Sequence, residues 1–247
     1  MKVLIIGNSF GTDSARYLNG ISRAEKNEIT IVNLYIGGCS LYRHYRNMLS
    51  EAAVYDYEIN GISTMLKVSL KQGLLLDEWD AVVLQQCSPK SGEYNTYQPY
   101  LHELCAYVRR LCPPARLVLN MTWTFAHGCT RFGLTPFETP EEMLPAVINC
   151  YEKAAAEEHF DLVIPSGKAM ARLYTHIGAD VYRDGFHANK GRTRYMLGCL
   201  WYMTLTGKKL KSDAYRDFDE EVTEEELLLT RRTALEILEE NGYEIKE

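Results

Sequence analysis

The first fourteen residues read Met1-Lys2-Val3-Leu4-Ile5-Ile6-Gly7-Asn8-Ser9-Phe10-Gly11-Thr12-Asp13-Ser14, and the order of residue types in them decides the fold. Four consecutive apolar residues, 3–6, leave no polar side to face water, so a strand made of them needs cover on both faces. The glycine, amide and hydroxyl residues that follow close the strand in a tight loop, and a helical pattern begins near Asp13. Four more runs of this kind recur at residues 29–34, 81–84, 117–121 and 162–164. Each is followed by a helix-length segment, the pattern of parallel strands joined by helical crossovers. The expected architecture is α/β, a three-layer α/β/α sandwich around a central, mainly five-stranded parallel sheet.

Helix boundaries are written in the caps. Thr139-Pro140-Glu141-Glu142 supplies an N-cap, a proline in the first turn and a capping-box glutamate. Met143, Leu144, Val147, Ile148 and Tyr151 then fall on one stripe, so that helix is expected to reach about Glu158. Thr223 and Glu226 repeat the capping box before a last helix at about 223–241, which Asn241-Gly242 stops. Tyr97, Leu101, Leu104, Val108 and Leu111 form another stripe, closed by Pro113-Pro114. Residues 54–68 lack a helical pattern and contain Asn60-Gly61, which predicts a small hairpin excursion. With no repeat, low-complexity segment or linker, the expected organisation is one domain over residues 1–247.

Composition removes several function classes. The 247 residues are 46% apolar and 24% charged, and a chain this long buries about three quarters of its unfolded surface without help from disulfides or a structural metal. Lys and Arg number 27 against 33 Asp and Glu, a net charge of −6, and no basic run exceeds Lys208-Lys209. Nucleic acid is therefore not an expected partner. No apolar stretch approaches the roughly 18 residues of a membrane span. The chain enters its first strand without a signal-peptide pattern, which makes the cytoplasm the expected location. The seven cysteines are odd in number and contain no C-x-x-C pair, so they read as reduced core residues. His102 and Cys105 lie three apart, but no second ligand pair follows, and no metal or other cofactor is expected.

In open parallel sheets chemistry gathers at the carboxyl ends of the strands. After the first strand, Ser9 would present its hydroxyl there, with its N–H at a helix N-terminus that favours negative charge. A plain strand-to-helix turn accounts for the same residues. So does a phosphate cradle, since Phe10-Gly11-Thr12-Asp13-Ser14 resembles the flavin-phosphate loop of flavodoxins and would make the chain an FMN-binding module. The second strand ends in Ile36-Gly37-Gly38-Cys39-Ser40, whose glycines let backbone approach a ligand. The third ends in Gln85-Gln86-Cys87-Ser88, two amides and a hydroxyl at the mouth of the sheet. Near the end of the chain comes Arg183-Asp184-Gly185-Phe186-His187, with Asn189 as N-cap of a helix through Tyr195, Met196, Leu200 and Trp201. An Asp three residues before a His can fix the imidazole tautomer and leave the other ring nitrogen free.

Taken in order, Gly7-Asn8-Ser9-Phe10, Gly38-Cys39-Ser40, the block after the third strand and Asp184-x-x-His187 resemble the four blocks of the SGNH (GDSL-type) hydrolases. With Ile36-Gly37-Gly38-Cys39-Ser40-Leu41, Gln85-Gln86-x-Ser88 and Asn120-x-Thr122-Trp123, the wording is closest to the DUF4886-type subgroup, over residues 1–207. The resemblance implies a flavodoxin-like SGNH fold and a serine esterase, with Ser9 as nucleophile, His187 as general base and Asp184 orienting it. It also implies an oxyanion hole made by the N–H groups of Ser9 and Gly38 and a third donor. The family's usual Gly-x-Asn-Asp block is absent, so Gln86 is the expected third donor, with Gln85 or Ser88 as alternatives. Because side chains alternate along a strand, only one of the two glutamines can face the pocket. Trp123, Tyr94 and Tyr97 follow strand ends where rings could stack on a sugar. The expected substrate is thus a small acyl ester, an O-acetyl group on a carbohydrate being the leading case, and a non-catalytic carbohydrate-binding protein is the alternative.

Overall fold

Side chains alternate along a strand, and in the computed structural model, which describes all 247 residues, that alternation divides every apolar run between two cores. The strands are β1 (Lys2–Gly7), β2 (Thr30–Tyr35), β3 (Tyr55–Ile59), β4 (Ile62–Val68), β5 (Ala81–Leu84), β6 (Arg116–Asn120) and β7 (Leu162–Ile164). Val3 and Ile5 of β1, Ala81 and Val83 of β5 and Val118 of β6 pack on one face of the sheet. Leu4, Ile6, Val82, Leu84, Leu117 and Leu119 pack on the other. Each such aliphatic side chain contributes about 1.5–3 kcal/mol by leaving water, and none of them is more than 2% exposed.

Nine helices supply the cover. On the Val3 face lie α1 (Ser9–Ala15), α2 (Leu18–Ala24), α7 (Ser166–Ile177), α8 (Arg192–Thr206) and α9 (Glu224–Glu240). On the Leu4 face lie α3 (Leu41–Ser50), α4 (Leu70–Leu75), α5 (Tyr100–Leu111) and α6 (Pro140–Glu157). The sheet order is β4-β3-β2-β1-β5-β6-β7. Its five strands from β2 to β7 run parallel, as their apolar runs require, and this three-layer architecture is the expected one.

Three details differ from the sequence expectation. The hairpin at Asn60-Gly61 is not an excursion: β3 pairs antiparallel with β2, and β4 with β3, widening the sheet to seven strands. Asn60 and Gly61 both have positive φ, +52° and +75°, the backbone of a tight hairpin turn. A Cβ at Gly61 would stand 2.7 Å from the Arg16 Cα, so the turn also needs glycine for space. Helix α1 starts at Ser9 rather than near Asp13, because the Asn8 side chain caps it by accepting from the Phe10 N–H. Helix α8 starts at Arg192, since Asn189 spends its side-chain acceptor on the Gly191 N–H in the turn before it.

Helix α3 turns His44 fully inward, with its Nδ1 3.0 Å from the Tyr55 hydroxyl on β3 and 3.5 Å from the Cys39 sulfur. Burial, reinforced by the charge of Arg43, pushes its pKa down from 6.5 to about 3. The unfolded chain therefore takes up a proton below pH 6.5 that the folded chain refuses until near pH 3. Stability should fall across that window on acidification, by up to about 1.4 kcal/mol per pH unit from this group. Urea midpoints measured from pH 7 to pH 4 check this, and a His44→Phe variant should lack that share of the slope.

Candidate active site

The carboxyl ends of five strands are tied together by buried amides. Asn8, just past β1, donates through Nδ2 to the Cys39 carbonyl beyond β2 (3.2 Å) and accepts at Oδ1 from Gln85 Nε2 beyond β5 (2.8 Å). Gln85 in turn accepts from Asn120 at the end of β6 (2.8 Å), and Asn120 accepts from Ser166 after β7 (2.7 Å). Gln85, Asn120 and Ser166 are fully buried, where an amide without partners is costly. The ladder satisfies them and sets the level of the loops above it.

At that level Ser9 is the first residue of α1, and the loop between α7 and α8 comes down to meet it. The Asp184 Oδ1 accepts from the N–H groups of Phe186 (3.3 Å) and His187 (2.8 Å), while Oδ2 lies 2.7 Å from His187 Nδ1. The other ring nitrogen, Nε2, is 2.9 Å from the Ser9 Oγ. With Nδ1 donating to the carboxylate, Nε2 is the acceptor for the serine hydroxyl. Burial draws the Asp184 carboxyl upward, but hydrogen bonds from the His187 ring and from the two N–H groups outweigh it and hold the pKa below its ordinary value. Ser9, His187 and Asp184 are thus brought together.

The loop is fastened from α1 itself. Asp13, one turn after Ser9 and fully buried, accepts from the Ala188 N–H (3.1 Å), from Arg183 Nη1 (2.9 Å) and from Arg194 Nε (2.9 Å). Trp123, behind the loop, donates to the Phe186 carbonyl at 2.8 Å and stacks on Phe10 at 3.9 Å between centroids.

A cavity of about 660 Å³ opens in front of Ser9 and is lined also by Gly38, Ser88, Phe186 and His187. Gly38 has a φ of +60° with open space beside its Cα, and neither its N–H nor that of Ser9 donates to another group of the chain. The backbone there is free to bind an oxygen in the cavity.

Several expected site residues lie elsewhere. Gln86 does not reach the cavity: its Oε1 accepts from the N–H groups of Leu41 and Cys87, and its Nε2 donates to the backbone carbonyl and hydroxyl of Thr96. Gln85 belongs to the amide ladder. Both glutamines are structural, and of the three side chains considered only the Ser88 hydroxyl lines the cavity, with no hydrogen-bond partner in the chain. Trp123 and Tyr97 are completely buried, the latter donating to the Ser91 carbonyl. Tyr94 bonds to Glu157 and lies under Lys153, away from the cavity. None of the three can stack on a ligand beside Ser9. In the first loop Thr12 donates to the Glu58 carboxylate at 2.8 Å, which sets a negative charge where a phosphate cradle would need N–H groups. All seven thiols are free and six are buried. No three His, Cys, Asp or Glu side chains gather to hold a metal, and His102 faces Glu158 rather than Cys105.

Asp13 escaped the sequence reading, although its position four residues after Ser9 puts both on one helix face. Lys90 and Arg131, which also line the cavity, left no signal, because their loops meet only in the folded chain.

Compared with other proteins, the chain matches over residues 2–236 the family model described as a domain of unknown function, DUF4886. A search of curated proteins gives no match. Among solved structures, a DUF4886 family protein from Bacteroides uniformis is 31% identical, with a TM-score of 0.89 over 96% of this chain and 94% of that one. A provisionally assigned SGNH hydrolase from Slackia heliotrinireducens is 19% identical, with a TM-score of 0.58 over 83% of this chain and 98% of that one. The psychrotrophic esterase EstA from Pseudoalteromonas sp. is 15% identical, with a TM-score of 0.54 over 83% and 96%. At these identities the last two share the fold.

The burial of Asp13 gives a test of what holds the histidine loop. Asp13→Ala removes the buried acceptor shared by the Ala188 N–H, Arg183 and Arg194, leaving Arg194 with Asp219 as its remaining carboxylate at 2.8 Å, and should cost about 3 kcal/mol of unfolding free energy. Asp13→Asn, which keeps an acceptor but no charge, should fall between the two. Urea denaturation measures both, and a loss under about 1 kcal/mol for the alanine variant would mean that other contacts hold the loop.

Proposed function

This chain belongs to the DUF4886 family, and we propose that it uses the SGNH-hydrolase fold to act as a serine esterase. The observation that carries the reading is the unbroken hydrogen-bond path from Asp184 through His187 to Ser9, ending at a cavity with two unclaimed backbone N–H groups. A turn built only for stability has no use for a hydroxyl bonded to imidazole at the mouth of a cavity.

In this proposal the Ser9 Oγ attacks the ester carbonyl carbon while His187 Nε2 accepts the hydroxyl proton. The carbonyl π electrons move onto oxygen, and the N–H groups of Ser9 and Gly38 receive the resulting oxyanion. Collapse of the tetrahedral intermediate breaks the bond to the alcohol, which leaves with the proton held by His187. Water then attacks the acyl-enzyme, giving its proton to His187 before Ser9 is released with that proton restored. Asp184 keeps its negative charge throughout and stabilises the imidazolium.

The third oxyanion donor in this scheme is the Ser88 hydroxyl, since both neighbouring glutamine amides are committed within the fold. The substrate is a small acyl ester, and an O-acetyl group on a sugar remains within the proposal. Its support is the room in the cavity for an alcohol larger than the acyl group, rather than the stacking rings expected from the sequence.

A fluorophosphonate probe should label Ser9, as peptide mapping by mass spectrometry would reveal, and Ser9→Ala should abolish both labelling and ester turnover while retaining the native circular dichroism spectrum. Labelling at another serine, or turnover that survives the substitution, would remove the triad assignment. Ser88→Ala should lower kcat about a hundredfold with KM little changed, because a donor aimed at the oxyanion acts in the transition state. An unchanged kcat would leave the oxyanion to the two backbone N–H groups.

A further inference from the structure

The cavity in front of Ser9 holds two cations that the chain does not neutralise. Lys90 closes the 3-10 turn Ser88–Lys90 and Arg131 lies in the 3-10 turn Thr130–Leu134; the two turns pack together, and both side chains line the cavity. The Arg131 guanidinium sits 3.9 Å from the centroid of the Phe186 ring. That ring is in turn 3.9 Å, centroid to centroid, from the imidazole of His187, so a single ring separates the guanidinium from the residue that moves the proton. Arg16, Arg183, Arg192 and Arg194 all pair with carboxylates. Neither Lys90 nor Arg131 forms an ion pair or donates a side-chain hydrogen bond within the chain. The cavity's one acidic side chain, Glu93, is likewise unpaired, which leaves the lining with an excess positive charge on a chain whose net charge is −6.

An exposed lysine alone would be an ordinary solvated charge. Arg131 differs, because it is half-buried and its guanidinium carbon is held over the Phe186 ring while its N–H groups stay unused. A guanidinium held in this way is prepared to receive an oxyacid through two parallel hydrogen bonds. From this arrangement we infer that the substrate is an anionic ester, carrying a carboxylate, sulfate or phosphate within a few atoms of the scissile bond, which Arg131 and Lys90 engage. The inference rests on the esterase reading of Ser9 and specifies its substrate class. It requires the cavity to hold the acyl group at Ser9 and the anion at Arg131 together.

The test compares matched esters. Mono(4-nitrophenyl) succinate against 4-nitrophenyl butyrate places the charge on the acyl side; 4-acetoxybenzoate, 4-acetoxyphenyl sulfate and 4-acetoxyphenyl phosphate against phenyl acetate place it on the alcohol side and separate the three anions. At least one anionic ester should exceed its neutral counterpart about tenfold or more in kcat/KM, and the advantage should shrink with added salt as exposed charges are screened. In the Arg131→Gln, Lys90→Gln double variant that ratio should fall to near one. A ratio does not depend on the fraction of folded enzyme, so partial misfolding cannot imitate the result. Anionic esters turned over no faster than neutral ones, or an advantage that survives the double variant, would overturn the inference. If no ester of either kind is turned over, the esterase reading fails instead. Calorimetric titration of mono(4-nitrophenyl) succinate into the Ser9→Ala protein, with and without the two glutamine substitutions, then decides the anion site: binding lost with the substitutions supports it, and equal or absent binding refutes it.

Discussion

The site depends on one requirement, that the buried amides at the carboxyl ends of the strands be satisfied together. Asn8, Gln85, Asn120 and Ser166 each take a partner from the neighbouring strand end, so none can shift without leaving another polar group buried and unpaired. This fixes Asn8, and Asn8 fixes Ser9, because the same side chain caps the helix that Ser9 begins. The opposite half of the site is held by ionic contacts. Asp13 fastens the Ala188 end of the histidine loop to the helix that Ser9 begins, and Asp184 then has only to orient a ring already in place. Neutral amides set the level of the site, and a buried charge sets its closure.

The sheet was legible in the sequence, because short apolar runs bounded by turn residues and alternating with helix-length segments suit doubly covered parallel strands. The candidate site was legible only through the ordered blocks that resemble the SGNH hydrolases, since Ser9 after a strand and Asp184 three residues before His187 each also suit a plain turn. The sequence was less informative where a side chain's role depends on contacts distant in the chain. Gln85 and Gln86 looked alike as polar residues at a strand end, yet one pairs with Asn8 and Asn120, and the other is consumed by Leu41, Cys87 and Thr96. Period-2 alternation says that the two point in opposite directions, but not that both directions are already occupied. The aromatic residues failed for a similar reason. Trp123 follows a strand end, as a ligand-stacking ring would, but Phe10 and the Phe186 carbonyl occupy its face and its donor.

The aromatic residues nevertheless bear on the chemistry. Phe10 and Phe186 lie against the His187 ring, and Trp123 stacks behind Phe10, which leaves the imidazole only partly open to water. Of the hydrogen-bonded pair, Asp184 is the more open, with a side chain 42% exposed against 18% for His187. Its carboxylate keeps its low pKa through the hydrogen bonds donated by the loop rather than through a paired cation. The loop backbone and the carboxylate therefore support each other, which accounts for a stable orientation in so open a position.

Ser9 and His187 stand 178 positions apart in the chain, and this separation has a consequence for biosynthesis. A ribosome makes Ser9 before six of the seven strands of the sheet and His187 only after all of them, so the serine emerges as an ordinary alcohol. Closing a loop of this length is entropically unfavourable until the strands between have paired. The imidazole can therefore meet the Ser9 hydroxyl only once that loop has closed, the closure in which Ala188 reaches Asp13. A nascent or broken chain lacking the histidine loop would carry Ser9 as a plain hydroxyl, without the imidazole partner that it has in the folded chain.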